Sequence, residues 1–322
     1  MVRWLTAILV FATLIPPCAA FPPPSLGGLT LPPRASSILE HIYSGRPDLA
    51  IPEARQLQQE LPNHPLGYLL EGESLWWGIW CTSAEFKYGM TLARHREKRA
   101  SDQAYLNLAT RASVLAEAQL KQQETGEMHL YAAMGDSLQA RLYGLRGENR
   151  ATARAAVRAR EHYQRALALD PSLADAYLGL GLYNYYVDTL STMARVLRFV
   201  MGIPGGSKEE GIRQLHSAML YGQLTPAVAR FYLAINLHNY DQRYEEALQV
   251  LRPMVEEYPQ NPLFQLAVGD LYAKLGRKAL AVDAYHAAAA SPNMPDPDCH
   301  QKVQSLVHAS LAALGGTSMP GD

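Results

Sequence analysis

Cysteine is scarce in this chain: Cys18, Cys81 and Cys299 are the three in 322 residues. Only Cys81 and Cys299 lie beyond the first twenty residues. Two thiols are too few for a disulfide framework or for a zinc site of four cysteines. On the elongated fold argued below they stand near opposite ends, so they are expected to be unbridged. An excess of one charge is also missing, with 29 Lys+Arg against 30 Asp+Glu. Neutralising phosphates needs a basic surplus, so general nucleic-acid binding is excluded. Past the N-terminus no apolar run reaches the ~18 residues that a membrane helix requires.

The motifs of catalysis are absent too. None of the ten histidines forms a His-Glu-x-x-His pair, and Cys-x-x-Cys and Gly-x-Ser-x-Gly do not occur. Gly202-Ile203-Pro204-Gly205-Gly206 lacks the Lys-Ser/Thr of a phosphate loop and reads as a turn. Glu71/Glu73 and Glu209/Glu210 diverge on a helix, so neither pair flanks a scissile bond by itself. No catalytic residue, metal or cofactor is assigned, and the chain is read as a non-enzyme.

What is present is core material, 48% hydrophobic residues, which excludes a disordered chain. Residues 1–20 carry Arg3, an apolar run from Trp4 to Ile15 and the small exit Cys18-Ala19-Ala20. That is the three-part pattern of a secretory signal. At ~1.5 Å per residue the run is about 18 Å long, too short to cross a bilayer. Pro16 and Pro17 argue against lipid anchoring through Cys18. Export follows, to the periplasm in a bacterium. The Pro/Gly-rich residues 21–35 are expected to be an unpacked leader.

From 151 to 291 apolar and small residues recur at three- and four-residue spacing, which predicts helices. Ala247, Leu251, Met254 and Pro259 are echoed 34 residues later by Ala281, Tyr285 and Ala288, with Pro292 one place early. Ala159, Tyr163, Ala166 and Pro171 repeat the skeleton, and Tyr177, Leu180 and Gly181 follow, as Val268, Gly269 and Tyr272 follow Pro259. These motifs resemble the tetratricopeptide repeat family, in which Gly and Ala let paired helices approach, aromatics fill the gaps and Pro ends the second helix. The resemblance implies an all-α, right-handed solenoid of stacked antiparallel helix pairs over 36–295, with helical insertions. Ala50, Ala54, Leu57 and Pro62, then Tyr68 and Gly72, then Met134-Gly135 place earlier units. The order of helix, apolar insert, Gly-rich turn and helices also resembles relatives of the yeast inclusion-body-clearance protein, which would imply a scaffold.

Two departures interrupt the period: an over-long helical stretch between Gly72 and Gly135, and an insert at about 188–206. The insert carries Leu190, Met193, Val196, Leu197, Val200 and Met201 with Arg195 and Arg198. It is expected in the solenoid's groove, with a membrane surface as the disfavoured alternative. Arg150, Arg154, Arg158, Arg165 and the run Ala93–Arg99 read as solvated outer helix faces. Residues 296–315 are expected to cap an open-ended stack, with a frayed tail at 316–322.

In the family, ligand-facing positions come one, four and five residues after the Gly of the first helix. Carried over, they are Glu73, Trp76 and Trp77; Asp136 and Gln139; Leu182, Tyr185 and Tyr186; Asn236, Asn239 and Tyr240; and Asp270 with Lys274. This set predicts a groove for a neutral or basic protein or peptide partner. Alternatives are a peripheral membrane protein using 190–201, or an α-helical envelope enzyme.

Overall fold

The computed structural model describes residues 28–200 and 202–316. The expected signal segment with Cys18, the start of the expected leader and residues 317–322 lie outside them, as do the side chains of Met193, Val196, Leu197, Val200 and Met201. The described residues form fourteen helices and a single two-stranded hairpin. The first pair is α1 (Pro33–Tyr43) and α2 (Pro47–Glu60), and α3 (Leu66–Thr82) leads into the hairpin of β1 (Ala84–Phe86) and β2 (Thr91–Ala93). Then come α4 (Ala100–Leu120), α5 (Gly126–Arg146), α6 (Asn149–Leu169) and α7 (Ala176–Asp188). The insert holds α8 (Thr192–Val200), and α9 (Lys208–Tyr221) partners α7 across it. The chain closes with α10 (Pro226–Asn239), α11 (Tyr244–Glu257), α12 (Pro262–Lys274), α13 (Lys278–Ala290) and α14 (Cys299–Gly316).

The result is an all-α tetratricopeptide-like solenoid of helix pairs. Outer helices bury one stripe: Ala155, Ala159, Tyr163 and Ala166 in α6, or Ala281, Ala284, Tyr285 and Ala288 in α13. Inner helices such as α3 and α12 are buried almost all round. Small residues set the approach of the pairs. A Cβ on Gly211 would lie 2.7 Å from the Gly181 carbonyl, so α7 and α9 touch backbone to backbone. One on Gly269 would lie 2.6 Å from the Tyr285 ring, which fills the gap between α12 and α13. Caps complete the elements. The buried Asp175 carboxylate at the start of α7 accepts from the Gln223, Leu224 and Thr225 amides at 2.8–3.0 Å, satisfying the buried backbone of the loop that leads into α10.

The stretch expected as one long helix is instead divided by the hairpin. Tyr88 (φ 55°) and Gly89 (φ 72°) make a left-handed two-residue turn that suits a hairpin and stops a helix. Accordingly Ala93–Arg99 is not an outer helix face: it is the end of β2 and an extended loop. That loop is tied down by Arg146, which donates to the His95 carbonyl (2.7 Å), to Ser83 Oγ (3.2 Å) and through Nε and Nη2 to both Asp102 oxygens (2.8 Å each).

The stack does not stay open. Trp77 of α3 sits edge-on to Phe231 of α10 (4.9 Å) and Phe264 of α12 (5.5 Å), and Tyr43 of α1 packs on Tyr258 (5.9 Å). Asn261 and Asn293 donate to the Tyr43 and Ser44 carbonyls at 2.7 and 2.9 Å. Helix α14 packs on α13 and α12 and also on α3 and β1, so it joins the two ends and does not cap a free one. Cys81 and Cys299 are therefore neighbours, with Cα atoms 5.8 Å apart, and form a disulfide across 218 residues. The expectation of separated thiols fails because the wall curves until its ends meet. The leader is also partly packed: Leu29 is buried, and its amide and carbonyl pair with the Gln223 side chain at 2.6 and 3.1 Å.

Candidate functional site

Closure turns the concave wall into a central cavity of about 1490 Å³. It is lined by the inner helices α1, α3, α5, α7 and α10, one face of α6, the hairpin, and Leu190, Ala194, Arg198 and Ile203 of the insert. The insert thus stands at the cavity's rim. Within it Arg198 donates to the Ile203 carbonyl (3.2 Å), and Tyr183 reaches the Pro204 carbonyl (2.8 Å).

At the floor Glu73 of α3 and Arg141 of α5 form an ion pair at 2.8 Å, each side chain little more than a tenth exposed. The guanidinium also lies 5.1 Å from the Trp76 ring and 5.5 Å from that of Tyr232. Burial disfavours the charged guanidinium, but Glu73 and the Tyr232 and Tyr105 hydroxyls outweigh it and hold Arg141 protonated above its ordinary range. Burial pushes Tyr232 up to about 12 and raises Tyr43 well above the usual phenol value, Glu73 adding to the latter. Both phenols stay neutral donors. Among the described residues Tyr43 Oη, Glu73 Oε1 and Asn236 Nδ2 are buried without a hydrogen-bond partner beside the cavity.

Of the residues carried over from the repeat, Glu73, Trp76, Leu182, Tyr186, Asn236, Asn239 and Tyr240 line this cavity. Tyr186 donates to Asn236 Oδ1 at 3.0 Å, and Tyr240, more than half exposed, packs on Tyr185 and Tyr186. The others lie elsewhere. Trp77 is in the seam between the two ends. Asp136 is buried and held by Arg158 (2.6 and 3.2 Å), with Gln139 bonded to it. Tyr185 is buried and donates to Asp241 Oδ2 at 2.9 Å. Asp270 accepts from the Thr91 amide (2.6 Å) and the Tyr285 hydroxyl (2.8 Å), while Lys274 donates to the Tyr88 carbonyl (2.7 Å), both pinning the hairpin to α12. Two of the three acids chosen as ligand contacts are thus structural.

The repeat register overlooks the cavity's cations. Lys87, Arg94, Arg96, Arg141, Arg150 and Arg198 line it against two carboxylates, Glu73 and Glu85. Lys87, Arg94 and Arg96 come from the hairpin and its exit, which have no place in the repeat. The available signal was Tyr88-Gly89, a turn dipeptide inside what reads as a continuous helix.

Among the described residues no group of three or more His, Cys, Asp or Glu side chains could hold a metal ion. No helix among them is long and apolar enough to cross a membrane. Residues 232–295, from within α10 to past α13, match the tetratricopeptide repeat family model. Over that segment the chain is similar to tetratricopeptide repeats, and the remaining helix pairs stack against it in the same all-α manner. A comparison with curated proteins returns no match. Repeats of this kind generally serve protein–protein interaction and are typically scaffolds without catalysis.

Proposed function

We propose that the protein is an exported, non-catalytic scaffold that binds a segment of a protein or peptide partner in its central cavity. The observation that carries this reading is the cavity itself: about 1490 Å³, walled by the inner helices of a tetratricopeptide-type solenoid and floored by aromatic rings. Aromatic rings among apolar walls suit a polypeptide, whose side chains need apolar contact. Export is supported by the three-part pattern of residues 1–20 and by the Cys81–Cys299 bridge, since disulfides persist in oxidising compartments such as the periplasm. Ala156 lines the cavity, so Ala156→Trp should fill part of it. Partners captured from a periplasmic extract by the wild type should be lost with this variant at unchanged helicity. Equal recovery by both proteins removes the cavity reading.

A second reading rests on Phe199, 82% exposed on the insert helix beside exposed Arg195. An apolar ring and a cation on one short helix suit a bilayer surface. Flotation with liposomes, lost in Phe199→Ser, would favour it.

A further inference from the structure

The cavity's charge identifies its ligand more narrowly than its shape does, an inference that rests on the cavity being the binding site. Both lining carboxylates are already engaged: Glu73 by Arg141 at 2.8 Å and Glu85 by His95 at 3.4 Å. Among the described residues, exposed Arg94, Arg96 and Arg150 form no ion pair with a carboxylate. Arg150 is the second residue of α6, whose first turn contains no acid. A cation there opposes the positive end of the helix dipole and costs stability unless an anion comes near. The acid at the N-cap of α6, Glu148, is paired with Lys98 at 2.8 Å. The mouth is therefore cationic and unneutralised, in a chain whose overall charge is −1. Below it lie Trp76, Tyr186, Tyr232 and leucines, a floor that is apolar but for the mutually paired Glu73 and Arg141.

We propose that the cavity takes an acidic polypeptide segment. Its carboxylates meet Arg94, Arg96 and Arg150 at the mouth, and an apolar side chain descends onto Trp76 and Tyr232. The cations come from the hairpin exit and the start of α6, outside the inner-helix positions chosen from the repeat. Arg's planar fork suits a carboxylate, which it can bind bidentately. This reverses the neutral-or-basic preference that Glu73, Asp136 and Asp270 suggest, because those carboxylates are spent inside the fold.

The test is selection of a random-peptide display library on the purified oxidised chain in three forms: wild type, Arg94→Glu/Arg96→Glu/Arg150→Glu, and Ala156→Trp. A neutral set with Gln at the three arginines, and circular dichroism on all forms, guard against misfolding. Wild-type peptides should be acidic with at least one large apolar residue, and their affinity should fall with salt. Charge reversal should weaken them roughly 10- to 100-fold, the Gln set less, as rim charges removed and reversed do. Enrichment of neutral or basic peptides that still depends on Ala156 overturns the acidic ligand and leaves the cavity reading standing. No enrichment over Ala156→Trp removes both. Arginine-dependent binding to phosphatidylglycerol vesicles that acidic peptides do not compete also overturns the proposal, in favour of a membrane surface.

Discussion

Arg146 controls how the cationic mouth is held, and its removal has a calculable cost. Its side chain is 1% exposed and its guanidinium joins the end of α5 to Asp102 in α4, to Ser83 after α3 and to the loop at His95. Arg146→Met leaves the Asp102 carboxylate buried with the Arg99 amide at 3.2 Å as its remaining hydrogen bond. Stranding one member of a buried pair costs about 3–5 kcal/mol. The reverse variant, Asp102→Leu, strands the cation at a similar cost. With both changed no buried charge remains, and the loss should fall to about 1–3 kcal/mol, the cost of the orphaned His95 carbonyl and Ser83 hydroxyl. An exposed pair such as Arg252–Glu256, 65% exposed on both sides, should give under about 1 kcal/mol in the same cycle. Urea unfolding followed by far-ultraviolet circular dichroism measures all four. Tryptic cleavage at Arg94 and Arg96 should speed up in Arg146→Met before global stability is lost. Additive single losses, or a loss below about 1 kcal/mol for Arg146→Met, would refute the view that one guanidinium holds this loop.

The oxidised chain should show no free thiol at Cys81 or Cys299 by thiol titration in denaturant, and two reactive thiols there would refute the bridge. Closing a loop of 218 residues is worth up to about 5 kcal/mol on the chain-entropy account, so reduction should lower the melting temperature markedly. Gly269→Ala should cost about 1–3 kcal/mol, because its methyl would lie 2.6 Å from the Tyr285 ring; an unchanged urea midpoint would show that the α12–α13 contact is looser. Burial pushes the Asp270 carboxyl up to about 7, against the opposing pull of the Thr91 amide and Tyr285 hydroxyl. The folded chain then keeps a proton that the unfolded chain releases above about pH 4, so this contribution is full below that pH and lost as pH rises through about 7. Wild-type melting temperature should therefore fall relative to Asp270→Asn between about pH 5 and pH 8, and parallel curves would refute the shift.

The helix pairs were readable because a repeat is a local signal. Ala247, Leu251 and Met254 must lie on one stripe of α11 for any neighbour to cover them, and the same spacing 34 residues on marks α13. The site was half readable for the same reason. A repeat position tells which helix faces inward, so Glu73, Trp76, Tyr186 and Asn236 do line the cavity. It does not tell which side chain another element has already engaged, and Asp136 and Asp270 are held by Arg158 and by the hairpin. Arg94 and Arg96 belong to the hairpin exit, outside the repeat, where no register applies, and Arg150 opens an outer helix that the register places away from the groove. Closure was invisible for a different reason. Each pair rotates slightly against the next, by an amount set by contacts such as the Tyr185 hydroxyl of α7 on the Asn236 carbonyl of α10, and the path of the whole chain is the sum of those rotations. A small error at each step accumulates over six pairs, so the period cannot decide between an open arc and a ring. Two cysteines far apart in sequence can decide it. Read as a bridge in an exported chain, Cys81 and Cys299 require α3 to meet α14, and a wall of paired helices that meets its own start must enclose its concave face.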